Sequence, residues 1–322
     1  MRFVADLGRG LRDIFGIYWE LVRIIVPVAV GTELLSRLGA IEMVSPMLAP
    51  VMDLFGLPPE LGLAWLTGLL VGIWGAISLI FALVPVSELT TADVTVFSAL
   101  LLFAHALPIE QKIIQKAGPG MALTISLRVG GGIIYAFLLH RVLTAAEWLS
   151  DPVNPTWIPL NVTTDWIDFF AGLIEALAVM FLVLAGLTWG LALMKRVGLL
   201  RGLMWLLSPA MRLAGIRREA EQFAAVGLFL GISYGGGLLI REARSGRVPP
   251  RDTFIACVFM GFAHSVIEDT IVVMALGADI TSILVGRIAF AIVATALIAA
   301  LVRSLADDTF FTWMFRRAEQ PG

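Results

Sequence analysis

The chain has a single cysteine, Cys257, among its 322 residues. No disulfide can close within it, and cysteine-based metal or redox chemistry has no second thiolate to use. Charge is scarce as well: Asp, Glu, Lys and Arg make up 15% of the residues against 59% that are hydrophobic. A soluble domain cannot hide that much apolar surface, and no extended polar stretch is present that would fold as one. Several apolar runs are long enough to cross a bilayer, so the fold class is an all-α integral membrane protein in contact with the lipid bilayer. No cleavable signal peptide is expected, because "MRFVADLGRGLRDIFGIYWE" mixes charge with apolar residues and has no small-residue cleavage site. Phe3, Val4, Leu7, Leu11, Ile14 and Phe15 recur at helical spacing, which predicts an interfacial amphipathic helix over residues 1–16. A net charge of −2 says nothing about nucleic acid, and no nucleic-acid partner is expected. Histidine is rare too, with three in the chain.

Two of those three sit in matching surroundings, "LLFAHALPIEQKIIQKAG" at 101–118 and "MGFAHSVIEDTIVVMALG" at 260–277. Shifting the sequence by the interval between His105 and His264 superposes Arg37 on Arg196, Gly56 on Gly215, Gly72 on Gly231, Asp93 on Asp252, Gly118 on Gly277 and Arg128 on Arg287, without a gap. Apolar composition alone would not align glycines, histidines and charges, so the chain holds a duplicated unit. Each copy reads as about five membrane segments, some short and Pro-containing. The first copy has segments near 17–38, 42–56, 61–85, 93–108 and 121–145, and the second near 171–195, 199–215, 220–240, 253–267 and 280–302. The segments at 61–85 and 220–240 read as full spans, and the short ones as broken or re-entrant helices.

An odd number of crossings per copy inverts one copy relative to the other. Arg2, Arg9 and Arg12 precede the first span and Arg303, Arg316 and Arg317 follow the last, which predicts a multi-pass inner-membrane protein with both termini cytoplasmic. The stretch from 146 to 170 contains tryptophans and acids but no Lys or Arg, and is expected to be extracytoplasmic. The organisation is therefore a membrane repeat at 17–145, a linker at 146–170, a second repeat at 171–303 and a cytoplasmic tail at 304–322. Either three or five crossings per copy fits; five places Lys112, Lys116 and the Arg241–Arg251 cluster inside, whereas three would leave that cluster outside, and five leaves Arg217 and Arg218 on the outer side.

The candidate substrate-binding residues fall in two groups. The first is His105, Glu110, His264, Glu268 and Asp269: ionisable groups at membrane depth are costly and face a bundle interior or a wet cavity. On a continuous helix His264 and Glu268 share a face one turn apart, with Asp269 beside them. The second is the glycine-rich pair "GLLVGIWGAIS" and "GLFLGISYGGG", where Gly72, Gly231 and Gly235 let a helix unwind and Ser78, Ser233 and Tyr234 offer hydroxyls. Arg128 and Arg287 are expected to be structural ion pairs with Glu110 and Asp269 of their own copies. No metal-ligand spacing is recognisable along the chain, no cofactor is expected, and no nucleophile, base and orienting group form an enzymatic motif.

The segment "SPMLAPVMDLFGLPPE", the glycine-rich span, "LTTADVTVFSALLLFAHALPIEQKIIQKAG" and the later arginine resemble the nucleoside-recognition, or Gate, domain family. That family includes the spore maturation membrane proteins, and its domain also occurs in concentrative nucleoside transporters and in the membrane regions of ferrous-iron transporters. The resemblance implies recognition of a nucleoside-like solute. With the inverted repeats, it points to a secondary transporter of a polar small solute, using a coupling proton or cation and assembling as a homo-oligomer. A cation or divalent-metal permease and a non-transporting scaffold or signalling protein are the alternatives.

Overall fold

A computed structural model describes residues 37–158 and 165–316 together with Phe15 and scattered positions between 18 and 35. The expected interfacial helix, residues 159–164 of the expected linker and the end of the tail lie outside the described residues. Among the described residues every named element is helical and no strand forms. After a helical stretch that ends near Leu38 come α1 (Ala40–Met52), α2 (Leu61–Leu70), α3 (Ile73–Leu83), α4 (Thr91–Phe103), α5 (Leu107–Lys116) and α6 (Met121–Ala145). The second half holds α7 (Trp166–Arg196), α8 (Leu199–Leu213), α9 (Arg218–Arg244), α10 (Pro250–Phe262), α11 (Glu268–Ala275), α12 (Arg287–Ser304) and α13 (Asp307–Trp313). Four helical stretches are long and apolar enough to cross a membrane: 91–116, 121–145, 166–183 and 281–304.

The segments read as full spans at 61–85 and 220–240 are not straight helices. Nine residues of straight helix cover about 13.5 Å, yet a Cβ on Gly235 would lie 2.9 Å from Cγ1 of Val226. In the first copy a Cβ on Gly68 would lie 3.1 Å from the Cβ of Ala76. Both contacts require the chain to double back. It does so at Gly72 (φ 134°, ψ 175°) and Gly231 (φ 77°, ψ 164°), a backbone region that essentially only glycine occupies. Periodicity misses this because both arms of a buried hairpin are apolar all round and read as one run.

Sequence also sets the other boundaries. Thr90 and Asp93 form a reciprocal capping box that starts α4. Pro108 and Pro250 occupy the first turns of α5 and α10, where a missing N–H costs nothing. The histidines lie in the turns between α4 and α5 and between α10 and α11, each followed by a left-handed residue, Ala106 (φ 47°) or Ser265 (φ 49°). His264 and Glu268 therefore do not share a helical face, because α11 begins only at Glu268.

Two connecting segments tie the helix ends together. In the linker, the carbonyls of Leu149 and Asp151 accept from the amides of Ala92 and Thr91 at the start of α4. Thr156 and Trp157 of the same linker donate to Ala275 at the end of α11, at 2.9 and 3.1 Å. In the tail, Leu305 and Asp307 accept from Arg251 at the start of α10. Met314 accepts from Gly120, and Arg316 donates to Gly118, just past the end of α5. The linker thus gathers the start of α4 and the end of α11, and the tail gathers the start of α10 and the end of α5. The second hairpin opens beside the start of its own histidine-bearing pair: Arg303 bonds both Gly215 O and Asp252, and Arg217 lies 3.6 Å from Asp252.

The hairpin tips give a direct test. Gly231→Ala is expected to cost about 1–3 kcal/mol through backbone strain alone, since an added Cβ meets nothing closer than 3.5 Å. Gly237→Ala, in open space on the same helix, is expected to cost nothing. Thermal unfolding of the two variants in detergent reads the difference, and equal transitions would remove the strained tip.

Candidate functional site

Each histidine pair is a helix that ends inside the protein, leaving carbonyls without helical donors. His105 Nδ1 meets Leu101 O at 2.8 Å and His264 Nδ1 meets Met260 O at 3.0 Å. Arg128 Nε donates to Phe103 O (2.9 Å) and Arg287 Nε to Phe262 O (2.8 Å), the same contact in both copies. Arg287 also reaches across to Leu102 O of the first copy and to His264 O. Two arginines and two histidines thereby close the ends of α4 and α10, and the guanidinium charge complements the negative end of each helix.

The same groups bring the two copies together. The imidazole rings lie with centroids 4.9 Å apart and their Nε2 atoms 3.4 Å apart. Both are buried, with His264 at 0% exposure. The carboxylates are exchanged between copies: Asp269 Oδ2 lies 3.6 Å from His105 Nε2, and Glu110 Oε2 lies 3.5 Å from His264 Nε2. Arg128 holds Glu110 at 2.7 Å and places Nη2 3.2 Å from His264 Nε2. Ser233 on the second hairpin donates to Glu110 Oε1 at 3.1 Å. The hairpin tips flank this centre: Ala106 donates to Gly68 O (2.9 Å) and Ser265 to Gly227 O (3.3 Å). Each tip glycine packs within Cβ contact of the left-handed residue that follows the histidine.

Not every sequence-derived residue joins this centre. The expected Arg128–Glu110 pair forms, but among the described residues Arg287 makes no ion pair with a carboxylate, and its Nη1 has no hydrogen-bond partner. The carbonyl-rich end of α10 and Leu102 O take its other donors instead. Glu268 is buried in the first turn of α11 without a hydrogen bond or ion pair among the described residues. Ser78 donates to Gly75 O within α3 and lines a small apolar pocket with Trp74 and Trp157. Gly235 packs against Val226 inside its hairpin, and the side chain of Tyr234 lies outside those described. Sequence reasoning missed Gln111 and Thr124, which are buried, hydrogen-bonded to each other at 2.7 Å and line a cavity of about 10 Å³ beside Arg128. Thr124 precedes Arg128 by one helical turn, a polar stripe on a membrane helix that could have flagged it. It also missed the π-helical turn Thr281–Gly286 before Arg287, against which Tyr135 donates to Ser282 O.

Buried half-helix ends held by arginine and histidine between the two halves of the chain define a class, that of helical membrane proteins with broken helices meeting at a polar centre. Residues 18–120 match the Gate family model, described as nucleoside recognition. The chain is also similar to the uncharacterised membrane protein YvoD of Bacillus subtilis (strain 168), with 27% identity over 305 residues that cover 92% of this chain and 94% of the relative. No solved structure matches it.

Removing one partner of the buried ion pair is expected to be severe. Arg128→Met leaves Glu110 charged and unpaired, at a cost of about 3–5 kcal/mol. The double variant Arg128→Met, Glu110→Gln should recover a large part of that loss. Monodispersity and thermal unfolding in detergent read both, and a double variant as damaged as the single one would show that carbonyl capping, not the ion pair, is what Arg128 supplies.

Proposed function

We propose that the chain is a secondary-type transporter of the inner membrane, moving a polar small solute of the nucleoside class by alternating access between two inverted repeats. The single observation that carries this reading is the meeting of two duplicated, broken half-helix pairs at one buried polar centre. Inversion is supported by the connecting segments, since the linker gathers the start of α4 and the end of α11 while the tail gathers the opposite ends. With the hairpins returning to the side they enter, each copy crosses three times: at 17–38, 91–116 and 121–145, then at 166–196, 250–275 and 281–304. That count keeps both termini cytoplasmic and the linker outside. It also moves Arg217 and Arg218 to the inner side with Arg303 and the Arg241–Arg251 cluster, removing the exception to the positive-inside pattern.

Recognition follows from the hairpins. The second arm of each begins at the tip, where the first amides of a helix lack helical acceptors and would offer donors to a polar ring or anionic group. Ionisable groups supply the coupling. Arg128 and Arg287 balance two of the three acids Glu110, Glu268 and Asp269, all buried, which leaves a formal charge of −1 when all three are ionised. A bound proton or cation compensates that charge, and its release changes the field at the solute.

Two measurements test the proposal. In a Cys257→Ser background, Asp308→Cys and Arg218→Cys are expected to label from one side and Pro155→Cys from the other; labelling of 155 and 308 from one side would sink the inversion. In proteoliposomes, nucleoside counterflow is expected, and His105→Ala or His264→Ala should each lower it roughly ten- to a hundredfold, the loss of one or two charge-assisted contacts. Wild-type liposomes without counterflow would leave the centre a packing device.

A further inference from the structure

We infer that His105, His264 and Asp269 form a site for one divalent transition cation at the interface of the two copies. The inference does not depend on transport. It starts from the tautomers. Both Nδ1 atoms face backbone carbonyls, Leu101 O and Met260 O, which can only accept, so each Nδ1 carries the hydrogen. In the neutral rings the Nε2 atoms then carry lone pairs, and these point at each other across 3.4 Å. Asp269 Oδ2 completes the convergence 3.6 Å from His105 Nε2, and it is a buried oxygen without a hydrogen-bond partner. Of these three acceptors only His264 Nε2 faces a donor, Arg128 Nη2 at 3.2 Å, and a cation between them would offset the repulsion of the others.

The geometry fits a metal ion. Ligands at about 2.0–2.1 Å from a tetrahedral centre lie about 3.3–3.4 Å apart, close to the two separations here, and all three donor atoms lie within 4.8 Å of one another. Two imidazoles and a carboxylate suit Zn²⁺, Co²⁺ or Mn²⁺ rather than Mg²⁺ or Ca²⁺. The carbonyls that orient the histidines are the outer partners such ligands use to fix ring orientation. Arg128 is the competing donor at His264 Nε2. A bound ion displaces only that contact, because Arg128 keeps Glu110 and Phe103 O. Chain spacing could not reveal the site, since two ligands come from one copy and one from the other.

The full chain in detergent, stripped with a chelator and titrated with Co²⁺, tests this. The expected result is one Co²⁺ per chain with the intense visible absorption of a tetrahedral N/O site. Asp269→Asn and His105→Ala should each weaken binding by at least about tenfold, while Glu60→Gln leaves it unchanged. A wild-type chain that binds no stoichiometric Co²⁺, or gives only the weak spectrum of an octahedral ion, overturns the site without reference to any variant. Asp269→Asn binding like wild type overturns it as well. Binding without nucleoside counterflow would keep the cation site and remove the transport reading; counterflow without binding would do the reverse.

Discussion

The carbonyl end of a helix that stops inside an apolar interior is the constraint on which the rest of this structure depends. Water cannot reach such groups, and each one left bare costs several kcal/mol. Here α4 and α10 both stop at Phe-Ala-His, and the histidine folds back onto the carbonyl four residues earlier while an arginine from the next long helix takes the carbonyl of the phenylalanine. Arginine suits the position because its fixed fork binds two or three acceptors at once and it remains charged when buried. The remaining donors then reach across the interface, as Arg287 does to Leu102 O. Capping a broken helix and joining the two copies are thus one interaction.

Part of this was legible in the sequence and part was not. Composition gave the membrane class, and the ungapped shift paired His105 with His264 and Gly72 with Gly231 because glycine, histidine and arginine stand out against an apolar background. Gly231 was read as a break, yet 220–240 was still read as a full span, since an apolar hairpin and an apolar helix have the same composition. Glu110 was matched to Arg128 from their positions within one copy. The exchange of Asp269 to His105 and of Glu110 to His264 was not legible, because no rule of spacing connects residues across an interface. Thr124 is marked in the sequence only by its place one turn before Arg128, and Gln111 and Tyr135 are distinguished by their burial alone.

The two histidine-bearing halves share a plan but differ in their contacts. Arg128 holds Glu110, while its counterpart Arg287 is turned toward carbonyls with one nitrogen unsatisfied. The second hairpin is docked onto the first copy through Ser233 and Glu110, and through Gly236, where an added Cβ would lie 2.8 Å from Ile113. Among the described residues no hydrogen bond joins the arm Ile73–Leu83 of the first hairpin to α11. The second copy also inserts a π-helical turn before its arginine, where the first runs as unbroken helix through α6.

Such asymmetry is what alternating access requires of a duplicated unit. If two inverted copies adopted identical conformations, the molecule would present the same face to both sides and no side would be favoured. In the transport reading the docked hairpin closes one route to the centre, and the opposite state exchanges the roles, with Arg287 taking Asp269 and the first hairpin seated on α11. The energetic demand of that exchange is modest, because it makes one buried ion pair as it breaks another and leaves the Nε contacts of both arginines in place. The unpaired oxygen of Asp269 and the unpaired nitrogen of Arg287 are then two halves of the same contact, held apart in this conformation. In that reading a positive charge held at the histidine pair, beside Asp269, would weaken the pull of Arg287 and favour the present arrangement.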